Sequence, residues 1–192
     1  MTKLEIGQIL RCAAVEEWDA WLSKNHATEK EIWLRFARQG RNVETVKRAE
    51  ALDVALCYGW IDSRARSLDA DYWVQRFTPR TPRSKWSKIN CAGAEALIQS
   101  GRMKAAGRVA VEAAKADGRW DGAYAPPSRI EVPEDLREAL TRCPKAEAFF
   151  GGLSAQNRYA ILYRIHDAKK AETRARRIAK FVEMLERGET LH

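Results

Sequence analysis

Apolar and polar positions change period several times along the chain. Leu4, Ile6 and Ile9 mark a short strand. From Val15 to Lys24 the residues Val15, Trp18, Trp21 and Leu22 recur at helical spacing. Glu31–Ala37 then alternates, with Ile32, Leu34 and Phe36 on one side, which predicts a strand. Gly40-Arg41-Asn42 reads as a turn, and Thr45 as the cap of a helix that runs to Tyr58 and stops at Gly59. Trp60–Leu68 and Tyr72–Thr78 both alternate, and the polar link 68–71 makes them a hairpin. Pro79 and Pro82 end it, so 78–87 is expected to be an extended loop.

Beyond that loop the period is helical. Ile89–Ser100 and Lys104–Asp117 form a pair joined by Gly101-Arg102-Met103. A proline-containing loop spans 121–133. Pro133 and Pro144 open two short helices, since a first helical turn tolerates proline. Ser154 caps a helix to about Asp167, and Glu172–Arg187 closes the chain with Ala175, Ile178, Val182 and Leu185 as its apolar stripe. The class predicted is α+β: a small antiparallel sheet with helices in the N-terminal half, and an all-helical C-terminal half. The proline-rich loop divides 1–88 from 89–192, and both parts can still share one core.

Composition excludes some classes outright. The chain has 192 residues, 45% hydrophobic and 31% charged, as a globular protein does. No run of about 18 uncharged apolar residues occurs, so no transmembrane segment is expected. The N-terminus lacks a basic stretch followed by an apolar one, which points to the cytoplasm. Cys12, Cys57, Cys91 and Cys143 are widely spaced and no His adjoins them, so neither a metal site nor a cofactor is expected. The nucleotide-binding and hydrolase signatures rich in glycine are absent.

The net charge of +8 is unevenly placed. Residues 35–88 hold 12 basic and 6 acidic side chains, and 158–180 hold 8 and 2. Such blocks suit an anionic partner, or simply a solvated surface. The densest segment is 75–90, with Arg76, Arg80, Arg83, Lys85 and Lys88, and no acid occurs between Tyr72 and Ala94. Prolines stiffen it, and arginine forks match phosphate or carboxylate oxygens two at a time. Trp86 is placed to stack on a ring, and Asn90 begins a helix whose free N–H groups favour anions. The alternative is a basic surface loop with Trp86 in the core and its arginines paired to carboxylates.

Other features are weighed beside it. Asp62 shares one face of the first hairpin strand with Trp60, Arg64 and Arg66, which makes it either a catalytic acid/base or half of a structural ion pair, and Trp60 and Arg64 join the candidate ligand-binding residues. Cys57 lies in an apolar helix without a neighbouring His, as a buried thiol does. Asn157, Tyr159 and Tyr163 follow one another around one helix, where they either line a pocket or pack at an edge. His166 has no triad partner in sequence. The last helix has a basic face open to nucleic acid, a membrane surface or water. The second helix of the pair, Lys104–Asp117, is too alanine-rich to read bases.

Several of these segments carry a resemblance. Ala-Leu-Cys-Tyr-Gly-Trp-Ile-Asp-Ser at 55–63, the 75–90 segment, Gly-Arg-Met at 101–103, Asp-Gly-Arg-Trp-Asp at 117–121 and Leu-Ser-Ala-Gln-Asn-Arg-Tyr at 153–159 resemble the YdeI/OmpD-associated, or bacteriocin-protection, proteins of bacteria. The resemblance extends over about 15–188. It implies a stress or envelope-defence role, with a porin as protein partner, and supplies no catalytic residues. Three functions follow as expectations. The first is a non-enzymatic binder of an anionic small molecule or polyanion. The second is an enzyme on a phosphorylated or carboxylated small molecule, with Asp62 as its acid/base. The third is a non-specific nucleic-acid binder. Oligomeric state is left open.

Overall fold

The computed structural model describes residues 6–41 and 43–192, and these divide into two units. The expected strand residue Leu4 and turn residue Asn42 lie outside the described residues. The first unit comprises the chain up to Trp86 together with Asn90–Ala123, and the second comprises Ser87–Ile89 and Tyr124–His192.

The first unit is built on a sheet of β1 (Ile9–Leu10), β2 (Ile32–Ala37), β3 (Trp60–Ser67) and β4 (Tyr72–Pro79), in the order β1-β2-β4-β3. The β3–β4 hairpin and the β2–β4 pair are antiparallel, as the alternation predicts. The short β1 adds a parallel edge, so the sheet is mixed. Ile32, Leu34, Phe36 and Phe77 supply one face of the core. Helices α1 (Val15–Asn25), α2 (Arg48–Cys57), α3 (Lys88–Gln99) and α4 (Ala105–Ala116) supply the rest through Trp18, Leu22, Val54, Leu56, Leu97 and Val111. Trp18 is fully enclosed, and its indole N–H donates to the Ala51 carbonyl at 3.0 Å. Burying a Trp ring without that acceptor would cost free energy.

Two local expectations change. Thr45 does not cap α2, which starts at Arg48. Its hydroxyl accepts from the Ala37 N–H at 3.0 Å and ties down the end of β2. Gly59 ends the helix as predicted, with φ of 73° that disfavours any side chain. The second change is a bulge in β3. Asp62 pairs with Phe77 but Ala65 pairs with Gln75, so Ser63 and Arg64 together face one residue of β4. Arg66 is opposite Val74, three positions from Phe77, so Asp62 and Arg66 lie on opposite faces. The shared face expected from strict alternation is therefore corrected. The buried Gln75 serves the bulge by donating its amide to the Ser63 carbonyl at 2.9 Å.

The second unit is helical: α5 (Glu134–Thr141), α6 (Pro144–Gly151), α7 (Ala155–His166) and α8 (Ala171–Glu186). Pro144 opens α6, and the Ser154 hydroxyl accepts from the Asn157 N–H at the start of α7. Leu136, Leu140, Phe150, Ile161, Ile165, Phe181 and Leu185 form its core. The stripe of α8 is Ile178, Phe181, Met184 and Leu185 rather than one that includes Ala175, which is exposed. The heavier Phe181 and Met184 bury more apolar area than Ala175 would, so they set the rotation. Ser87–Ile89 join this unit through a parallel bridge from Ser87 to Tyr124.

Arg174 of α8 grips Asp135 of α5 through Nε and Nη2, at 2.5 and 2.9 Å. The Arg174 hydrogen bonds hold the Asp135 carboxyl below its ordinary value of 3.8. A depressed carboxylate contributes stability above its unfolded pKa that is lost as pH falls through the folded one. Thermal melts of the whole chain are therefore expected to show the second unit weakening below about pH 4. Asp135→Asn should lose that acid-dependent part, and near neutrality it should cost no more than about 1 kcal/mol because the pair is half exposed.

Candidate functional site

The proline-rich loop is a braced turn. Ser84 donates its N–H to the Thr81 carbonyl at 2.9 Å, with Pro82 and Arg83 between them. Proline suits the second position of such a turn, and Arg83 does not need a positive φ there. The Thr81 N–H donates to the Ser84 hydroxyl at 2.8 Å. At the entry, the Arg80 N–H donates to the Gly59 carbonyl at 2.9 Å. From outside the loop, Arg119 donates to the carbonyls of Ser84 and Thr81 at 3.1 and 3.5 Å. Asp117 orients that guanidinium, with both carboxylate oxygens 2.8 Å from Nε. At the exit, Trp86 is only 2% exposed and its ring lies 5.0 Å from that of Trp120. Arg80 lies over the Trp86 ring at 3.5 Å and donates to the Lys85 carbonyl.

This bracing commits some of the expected ligand residues to the protein itself. Arg76 makes an ion pair with Glu31. Arg80 serves as the lid of Trp86. Trp86 and Trp60 are core residues, and the Trp60 indole N–H donates to the His26 carbonyl at 3.1 Å. Rings so enclosed offer no face to a nucleobase. Arg83 and Lys85 are exposed, as is Arg64 on the bulge. Among the described residues, the Arg83 guanidinium has no hydrogen-bond or ion-pair partner. Asn90 is partly buried in the first turn of α3. Asp62 accepts from Arg48 at 2.7 Å and from Gln75 at 3.4 Å. Its partner is thus a residue of α2, and its carboxylate is spent in a structural ion pair.

The remaining candidates belong to the second unit. Lys88 is exposed, and its N–H donates to the Tyr124 carbonyl at 2.9 Å. Tyr159 donates its hydroxyl to the Ala125 carbonyl at 3.3 Å, and burial pushes its phenol up. Tyr163 packs edge-on against Tyr124 at 5.1 Å and lies 5.9 Å from Tyr159. The Asn157 amide exchanges hydrogen bonds with the backbone of His192. His166 contacts the Glu131 carbonyl at 3.0 Å. The polar heads of Asn157, Tyr159 and His166 are thus occupied by backbone groups. A cleft of about 490 Å³ lies elsewhere in the unit, with Val132, Leu140 and Phe150 between Glu131, Glu147 and Arg158.

The three buried cysteines, Cys12, Cys57 and Cys91, are poor nucleophiles. Burial pushes Cys12 and Cys91 up to about 11, the latter despite Arg80, and raises Cys57 as well. A thiol in that range stays protonated at neutral pH. Among the described residues no group of His, Cys, Asp or Glu can hold a metal, and no helix is long and apolar enough to cross a membrane. The sequence reading missed Arg119 and Asp117, although the Asp-Gly-Arg-Trp-Asp segment that holds them stood out for its resemblance.

Two family models match the chain. Residues 10–110 match a domain of unknown function (DUF8412), and residues 129–188 match the bacteriocin-protection, YdeI or OmpD-associated model. The chain belongs to the first of these families, whose model spans about half of it, and its helical part is similar to the second. The second match confirms the YdeI/OmpD-associated resemblance within the helical unit. The segments 55–63, 75–90 and 101–103 fall in the DUF8412 match, so the braced loop belongs to that part of the chain. No curated protein and no solved structure matches.

Proposed function

We propose that this YdeI/OmpD-associated protein acts in bacterial envelope defence, as a cytoplasmic, non-enzymatic protein that binds an anionic ligand on its braced loop. The family description supports the defence role, tolerance of bacteriocins, and a protein partner of the OmpD type. One observation carries the binding role. Arg83 stands at the tip of a turn whose backbone is held from both sides, and its guanidinium is exposed and uncommitted. Holding the loop in place beforehand lowers the entropy lost when a ligand docks. Lys85 is exposed two positions away and adds to the field.

Isothermal titration with inorganic phosphate, a nucleoside triphosphate and a short single-stranded DNA is expected to give saturable binding by at least one of them. Arg83→Ala should weaken it about tenfold or more, the worth of one charge-assisted hydrogen bond. A compact anion should show a shallow salt response, whereas a polyanion should show one that steepens with each phosphate contacted. If Arg83→Ala and Lys85→Ala both bind as the wild type does, the loop is not the site.

A further inference from the structure

A second cleft lies in the first unit, away from the loop, with a volume of about 320 Å³. Three walls meet there. From α1 come Val15, Glu16 and Asp19. From α2 come Val54 and Cys57. From the α3–α4 connection come Arg102 and Lys104. Helix α2 packs against α1 and also against α4, so Val54 and Cys57 sit between the acidic and the basic side.

Charges of opposite sign share this cleft without meeting. Among the described residues, neither Glu16 nor Asp19 forms an ion pair with Arg102 or Lys104. Asp19 is held in place by the Tyr58 hydroxyl, which donates to it at 3.2 Å. Lys104 is held by its own N–H, which donates to the Cys57 carbonyl at 3.2 Å. It is also the N-cap of α4, so the basic wall carries the positive end of that 12-residue helix. Cys57 is 3% exposed, and burial keeps its thiol neutral against the pull of Arg102 and Lys104. It is therefore an apolar wall and not a nucleophile. A cleft of this size suits a small molecule and not a folded partner.

We infer that this cleft binds a small zwitterion, an α-amino acid with an apolar side chain. Arg102 and Lys104 receive the carboxylate, Glu16 and Asp19 the ammonium group, and Val15, Val54 and Cys57 the side chain. Such a ligand bridges the two walls and satisfies both sets of charges at once, which an ion of one sign cannot do. This site shares no residue with the braced loop and does not depend on it.

Titration of the full chain with L-leucine tests the assignment, read by calorimetry and by amide shifts in NMR. Saturable binding is expected within about 10 mM, with shifts at Cys57 and Lys104. L-leucine amide lacks the carboxylate and N-acetyl-L-leucine lacks the ammonium group. Each should bind about tenfold more weakly or worse, as should Asp19→Asn and Arg102→Gln with leucine itself. Arg83→Ala should bind leucine unchanged, which separates this site from the loop. No saturable shift at about 10 mM overturns the inference. So does equal binding of leucine and either blocked analogue, because the charges would then not be read.

Discussion

Gly107→Ala is expected to destabilise the first unit by about 3 kcal/mol, the upper part of the usual cost of overpacking. Alanine normally stabilises a helix interior relative to glycine by roughly 1 kcal/mol, so packing must reverse the sign here. A Cβ at Gly107 would lie 2.4 Å from the Cys57 carbonyl oxygen, 2.7 Å from that of Leu56 and 2.3 Å from the Met103 sulfur. Met103 can swing aside, but the two carbonyls belong to the last turn of α2 and cannot. Helix α4 would have to back away from α2, which strains the Lys104 to Cys57 hydrogen bond. Gly93→Ala in α3 is the control. Its Cβ would meet only Leu56, at an ordinary 3.6 Å, so it should stabilise by about 0.5–1 kcal/mol. Denaturant unfolding of both variants checks the pair. Equal effects would mean that α2 and α4 do not approach as closely as described.

Trp86→Ala is expected to cost about 3–5 kcal/mol, the usual range for deleting a buried aromatic ring. Against a typical total of about 5–15 kcal/mol this is a large fraction. It also removes the surface that Arg80 covers and the ring that Trp120 meets. The loop would then be tethered at its entry and by Arg119 but free at its exit. Trp86→Phe keeps a ring in place. Among the described residues the Trp86 indole N–H is buried without an acceptor, so the Phe variant removes that polar group too. It should cost less than about 2 kcal/mol, since the lost volume is small. Melting curves distinguish the two. If Trp86→Ala melts like the wild type, the ring does not anchor the loop.

Much of the fold is legible in the sequence, because local periods carry it. The alternation of Glu31–Ala37 and of Tyr72–Thr78 gives strands within one or two residues of those observed. Gly59, Pro144 and Ser154 mark helix ends through backbone rules that need no partner. The bulge was not legible. Period counting follows one strand, whereas a bulge is a relation between two, here Ser63 and Arg64 against a single residue of β4. The same reason hides the ion pairs. Glu31 and Arg76 are 45 positions apart, and Arg48 and Asp62 are 14 apart. Density of charge in 75–90 therefore showed where cations lie and not which of them are already spent. Trp86 illustrates this most directly. In the sequence it reads either as a stacking platform or as a core residue, and only Trp120, 34 positions later, decides for the core.

On the function proposed above, the braced loop offers Arg83 to an anion. Amide and arginine Nε–H shifts, recorded during titration with inorganic phosphate at low salt, test it most directly. Saturable shifts are expected at the Arg83 side chain and at the amides of 81–85. The Arg80 and Arg119 signals should move little, because both guanidinium groups already have partners within the protein. Shifts that bypass Arg83 and gather elsewhere, or no shift with phosphate or any longer polyanion, would contradict it.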